Sequence, residues 1–152
     1  MKQTVFVDQM NRSVTLSERP KRIVSLVPSL TELLHYFSLD HEVVGITKFC
    51  VHPKEWFDSK NRVGGTKNIK LNRIRELNPD LIIGNKEENT ESDIEALSED
   101  FPVWMTDVNS FDDALKMIKG LGIVLGKENF SAHMVDVLHK SYEKLRGIGK
   151  GK

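Results

Sequence analysis

Arg22-Ile-Val-Ser-Leu-Val-Pro-Ser-Leu-Thr-Glu-Leu-Leu34 is the stretch that decides the fold. Its first part, Arg22 to Val27, is a β-branched apolar run of the kind a strand shows when both faces of its sheet are covered. Pro28 ends the run. Ser29 stands three residues before Glu32, a spacing at which each side chain can satisfy the other residue's free backbone N–H. A helix is therefore predicted from Leu30 to Ser38, with Leu30, Leu33, Leu34 and Phe37 facing inward. A buried strand feeding an amphipathic helix is the unit of parallel α/β layers.

The pattern repeats downstream. Glu42–Thr47 and Asp80–Gly84 read as further strands, and Pro102–Thr106 as a fourth. Pro53 opens a short helical turn through Trp56 and Phe57, since its fixed φ suits a first helical position. Val63-Gly64-Gly65-Thr66 reads as a turn or a very short strand ending in a flexible loop. Leu71, Ile74, Arg75 and Leu77 fit a helix that Asn78-Pro79 terminates, because the residue before proline is pushed out of the α region. Ser92 and Glu95 have capping-box spacing for a helix to Asp100, and Ser110 with Asp113 caps another from Phe111 to about Leu121, where Gly120, Gly122 and Gly126 are expected to loosen or break it. Upstream, Val5, Val7, Val14 and Leu16 alternate with polar residues as a hairpin. From Glu128 to Arg146 apolar residues recur at helical spacing, a stripe about 29 Å long at about 1.5 Å per residue. The tail Gly147–Lys152 reads as a flexible linker.

At 152 residues the chain has the length of one domain, and its 39% hydrophobic and 29% charged content is that of an ordinary globular protein. Lys plus Arg equals Asp plus Glu at 22 each, so no global field draws it to nucleic acid. Locally the charge is uneven: residues 86–100 carry seven acids against Lys86 alone, and the stretch from Lys140 is basic. The residues after Met1 form no apolar h-region with a small-residue cleavage site, so they do not read as a signal peptide. A cytoplasmic location and an extracytoplasmic one both stay open.

Chemistry is sparse. The five histidines show no His-x-x-x-His spacing and the single Cys50 has no cysteine partner, so no metal site is expected. There is no phosphate loop, dinucleotide fingerprint or nucleophile elbow. The loops after the strands are richer, and ligands bind there in open parallel sheets. Pro28 and Ser29, Phe49, Cys50 and His52, Gly65, Thr66 and Lys67, and Lys86 should meet at that edge. An aromatic ring, polar groups and two lysines suit an organic ligand that bears charge. Two other readings stay open: a small α/β enzyme using a Cys50/His52 pair, and an interaction module that self-associates through the terminal helix.

Taken in order, Pro20-Lys-Arg-Ile-Val-Ser-Leu-Val-Pro-Ser-Leu-Thr-Glu-Leu-Leu34, Val44-Gly-Ile, Val63-Gly-Gly-Thr-Lys-Asn-Ile-Lys-Leu-Asn-Arg-Ile and Leu77-Asn-Pro-Asp-Leu-Ile-Ile83 resemble the class III (helical-backbone) substrate-binding proteins of ABC importers, the cobalamin, iron-siderophore and haem binders. The match covers about residues 20–146. The resemblance implies a Rossmann-like three-layer α/β lobe with a mainly parallel sheet, preceded by a hairpin and followed by a long backbone helix. On it, residues 1–126 are the N-terminal lobe of a periplasmic-binding-protein-like fold, 127–146 the interlobe helix and 147–152 a tail.

It further implies a non-catalytic, extracytoplasmic protein without a cofactor, a metal-chelate or corrinoid ligand and an ABC permease as partner; half a cleft leaves two readings open, a fragment of a longer protein or a homodimer through the terminal helix. Cobalamin binders place an aromatic before the proline after the second strand, where this chain has His52. They place another in the Gly-Gly-Thr loop, where it has Thr66. Cobalamin thereby loses ground to polar or iron-chelate ligands that Phe49 and Lys67 would suit. The family's transporter-docking Glu, in the helix after that loop, corresponds to Asn72, with Glu76 nearby.

Overall fold

A computed structural model describes residues 3–150, with side chains described to residue 147. Strands β1 (Thr4–Val7) and β2 (Ser13–Leu16) form an antiparallel hairpin in which Thr4 faces Leu16 and Val7 faces Ser13. The main sheet holds β3 (Ile23–Ser25), β4 (Val43–Ile46), β5 (Asn61–Arg62), β6 (Leu81–Asn85) and β7 (Val103–Thr106). Its order is β5-β4-β3-β6-β7 and all its pairings are parallel. The helices are α1 (Pro28–Tyr36), α2 (Lys54–Ser59), α3 (Leu71–Leu77), α4 (Glu91–Ser98), α5 (Phe111–Val124) and α6 (Glu128–Lys150).

The chain builds outward from β3 to β4 and β5, then crosses back to lay β6 and β7 on the other side. The seam between β3 and β6 is therefore the topological switch point, where the loops leaving the two strands diverge and open a crevice. Ile23, Val24, Leu81, Ile82 and Ile83 at this seam are fully buried, as a sheet covered on both faces requires.

The hairpin is tied to the sheet's edge by its turn. Buried Asp8 accepts from the backbone N–H of Met10 and Arg12 at 2.9 Å and, through Oδ2, from that of Met105 at 3.0 Å. Gln9 donates its own N–H to Met105 O at 3.2 Å and accepts from Asp107 N at 3.0 Å. Polar groups on the outer side of β7 are thus covered rather than left as a template for another chain.

Several helix ends differ from the sequence expectation. Helix α1 starts at Pro28 itself, with Val27 at the cap position and no side-chain cap, so Ser29 lies inside the first turn and does not box with Glu32. Proline needs no N–H partner there, and the helix begins as soon as the strand ends. Thr90 caps α4, its side chain accepting from Asp93 N, in place of the predicted Ser92. Ser110 caps α5 as expected.

Gly120 and Gly122 do not break α5, which runs to Val124. A Cβ on Gly122 would fall 1.9 Å from Ser131 Oγ, so the missing side chain is what lets α6 close on α5. The chain then turns at Gly126, whose φ is +70°. His35 is exposed, its ring edge-on to Trp56.

Helix α6 is anchored by aromatics near each end of its packed part. Phe130 meets Phe37 and Tyr36 of α1, and Tyr142 stacks on Phe111 at 4.2 Å between centroids. The helix continues through residues 147–150, which the glycine content marked as a flexible tail; residues 151 and 152 lie outside the described residues.

Candidate functional site

The loops at the carboxyl ends of the strands are built from different parts of the sequence, and one side chain joins three of them. Asn89, 4% exposed, follows β6. Its amide nitrogen donates to Leu26 O at 3.2 Å and to Thr66 O at 3.0 Å, and its Oδ1 accepts from Asn85 N at 2.9 Å. The end of β3, the Gly-Gly loop and the β6–α4 loop are therefore locked at the switch point. A carboxamide suits this place because it offers donors and an acceptor without charge. Nearby, Lys67 Nζ reaches across to Glu87 O. Asn85 Oδ1 takes the N–H groups of Glu87 and Glu88 at 2.9 and 3.2 Å.

The Gly-Gly loop meets the β4 loop directly. Gly64 holds φ at +101°, and Gly64 O accepts from Lys48 N at 2.8 Å. A Cβ on Gly65 would lie 3.1 Å from the Phe49 ring and 3.4 Å from the Lys48 side chain, so the ring rests on bare backbone. Phe49 is 53% exposed and Lys48 Nζ stands 5.2 Å from its centroid. An exposed aromatic flanked by a cation is an apolar platform beside positive charge.

Pro28 and exposed Ser29 open α1 at the same edge. No side chain caps this helix, so its first backbone N–H groups have no side-chain acceptor at the cap position. The structure thus gathers Pro28, Ser29, Phe49, Gly65, Thr66 and Lys67 into one wall. Lys86 stands at its rim, leaning towards Asp107, with 3.9 Å between Nζ and Oδ2.

One predicted member lies beneath the wall, and a second makes no hydrogen bond to it among the described residues. Cys50 has no exposed surface, and its Sγ lies 3.1 Å from both Thr31 Oγ1 and Thr47 Oγ1. Thr31 in turn lies 2.8 Å from Ser25 Oγ, so the thiol completes a small polar cluster beneath the loop. Cys50 therefore offers no surface to a ligand, and its thiol is not presented at the surface beside His52. His52 itself is exposed just ahead of α2 and makes no hydrogen bond to the wall among the described residues. Asn89 is the residue that sequence reading missed: a buried asparagine in a loop breaks no periodic pattern.

A groove of about 580 Å³ lies on the flank between α4 and the hairpin turn and meets the wall only at Lys86 and Asn89. Among the described residues no group of three or more His, Cys, Asp or Glu side chains converges as a metal site. No helix there is long and apolar enough to cross a membrane. On α3, Asn72 and Glu76 are exposed one turn apart, but Arg73 and Arg75 flank them and Arg75 donates to Asn72 Oδ1 at 3.4 Å. Arg75 also pairs with Asp100, at 3.7 Å between Nε and Oδ2.

A parallel α/β layer followed by a long helix matches the lobe fold of periplasmic binding proteins. The chain belongs to the periplasmic binding protein family, whose sequence profile matches residues 23–149. It is 31% identical over 148 residues to an uncharacterised ABC transporter substrate-binding lipoprotein, YvrC, of Bacillus subtilis strain 168, a match covering 94% of this chain and 46% of the relative. It is 28% identical over 111 residues to a vitamin B12-binding protein of Vibrio parahaemolyticus, covering 72% of this chain and 40% of that one.

The siderophore-binding protein BauB, solved with ferric iron and two molecules of acinetobactin, superposes with a TM-score of 0.84 at 16% identity over 97% of this chain and 54% of its own. That likeness establishes the fold. The chain spans about half the length of the relatives it matches.

Proposed function

We propose that this lobe supplies one wall of the ligand cleft in the substrate-binding component of an ABC importer, on the extracytoplasmic side of the membrane, and hands its ligand to a permease. The observation that carries the reading is Asn89. A buried amide that fixes three loops against one another holds a recognition surface ready before ligand arrives, which lowers the cost of ordering it on binding. The relatives' names, a lipoprotein of an ABC transporter and vitamin B12-binding proteins, support the same class and location.

The ligand class proposed is an anionic metal chelate, of iron-siderophore or haem type, rather than a corrinoid. Phe49 offers a flat apolar face, Ser29 and the uncapped end of α1 offer donors, and Lys48, Lys67 and Lys86 bring positive charge. The two positions where cobalamin binders carry aromatics hold His52 and Thr66 here. Tryptophan-fluorescence titration with a ferric tris-catecholate, haemin and cyanocobalamin tests this. Tighter binding of either anionic chelate than of cyanocobalamin is expected; the reverse order overturns it.

The docking role at Asn72 and Glu76 draws less support. Asn72 carries no charge to pair with an arginine of a transporter, and Arg75 beside it is engaged by Asn72 and Asp100.

A second reading has its own observation. Helix α6 outruns α5: Tyr142 faces Phe111, the first residue of α5, and Leu145 one turn later is 68% exposed. A helix whose apolar stripe continues past its packing partner suits self-association, with two copies pairing through α6.

A further inference from the structure

The lock at Asn89 holds three loops and leaves out the one that carries Phe49, between β4 and α2. Beneath that loop lie four side chains with no exposed surface, Ser25, Thr31, Thr47 and Cys50. They run in a line. Phe49 N donates to Thr47 Oγ1 at 3.3 Å, Thr47 Oγ1 lies 3.1 Å from Cys50 Sγ, and that sulfur lies 3.1 Å from Thr31 Oγ1. Thr31 Oγ1 is 2.8 Å from Ser25 Oγ, which donates to Val27 O at 3.3 Å. Hydroxyls and thiols both donate and accept, so every link in the line has a hydrogen, supplied by the Phe49 N–H and the four side chains. The line ends beside Leu26, whose carbonyl Asn89 holds.

Alanine or valine at these four positions would fill similar space with no polar atom to satisfy. A buried polar network is costly unless each member is paired, and what it adds over apolar packing is direction. Direction matters here. Thr31 lies on α1 two residues after exposed Ser29, and Cys50 directly follows the exposed Phe49. The Thr31–Cys50 contact therefore joins, one layer down, the two elements that bring a hydroxyl and an aromatic ring to the wall. The turn above it is tight: Cys50 N donates to Thr47 O at 3.1 Å and Val51 N to Phe49 O at 2.9 Å. With the sulfur drawn inward, the ring one residue before it is left outside.

We infer that Thr31 and Cys50 are positioning residues of the ligand wall: their contact sets Ser29 and Phe49 relative to one another in the free protein. This rests on the wall reading and adds a determinant of affinity that no ligand touches. A ligand meeting both elements then has fewer groups to order on binding.

Thr31→Val and Thr31→Ser in the full 152-residue chain test the inference. Valine keeps the branched shape and loses the hydroxyl; serine keeps the hydroxyl and loses a methyl. Titration with ferric tris-catecholate should show about tenfold weaker binding by Thr31→Val, and by Thr31→Ser an affinity within about threefold of the wild type. In the ligand-free protein, exchange of the Phe49 amide should quicken in Thr31→Val alone, while Ile82 and Ile83 stay protected. Urea unfolding ranks the variants by stability, and affinity should follow the hydroxyl rather than that ranking. Cys50→Ala and Cys50→Ser repeat the comparison if Thr31→Val does not fold. Unchanged affinity on loss of the polar group, or equal loss in both members of a pair, overturns the inference and leaves the wall standing. A wild type that does not bind the chelate overturns the wall reading, and this inference with it.

Discussion

Asn89 Nδ2 lies 3.0 Å from Thr66 O, across 23 residues of sequence and from the opposite side of the switch point. Replacing Asn89 with Ala leaves Leu26 O, Thr66 O and Asn85 N without this partner. A cost of about 1–3 kcal/mol is expected from unsatisfied buried groups. Hydrogen exchange should quicken at Asn85 and around residues 64–68, while Ile82 and Ile83 keep the protection of the core. Uniform loss of protection would mean that the residue supports the whole fold rather than the wall.

Gly122→Ala tests the seam between α5 and α6. The added methyl would collide with Ser131 Oγ at 1.9 Å. Overpacking of this kind costs about 1–3 kcal/mol, and adding Ser131→Gly should recover part of it. Urea unfolding of the single and double variants checks both statements.

Asp8→Ala removes the acceptor of three backbone N–H groups, those of Met10, Arg12 and Met105. A loss of about 1–3 kcal/mol is expected, with a rise in aggregation as the edge of β7 opens. Chemical denaturation and light scattering measure the two effects separately.

Cys50 is fully buried between two threonine hydroxyls. Iodoacetamide should label it slowly in the folded protein and rapidly in denaturant. Fast labelling of the native state would revive a reactive thiol and with it an enzyme reading.

The layer architecture was legible because buried parallel strands write themselves as β-branched runs and the helices between them carry apolar stripes. β5 escaped because Asn61 and Arg62 form a two-residue edge strand with exposed, polar side chains. The cap of α4 was misplaced because Thr90-Glu-Ser-Asp93 and Ser92-Asp-Ile-Glu95 carry overlapping cap patterns. Asn89 decides between them: its N–H bonds to Asn85 O and carries the turn directly into Thr90.

Gly120 and Gly122 read as breakers, yet close approach of α6 outweighs their low propensity. At the site, the residues at strand ends could be placed by topology alone. Which of them face outward could not: Phe49 and Cys50 are adjacent in one loop, and only the folded chain turns the ring out and the thiol in.

The most direct test of the wall is paramagnetic broadening of amide resonances by a bound ferric chelate. Signals of Ser29, Phe49, Gly65, Thr66, Lys67 and Glu87 should broaden together, with α2, α3 and the hairpin unaffected. Broadening centred instead on Met10, Glu95 and Ser98, or scattered over unrelated faces, would contradict a ligand wall at the crest of the sheet.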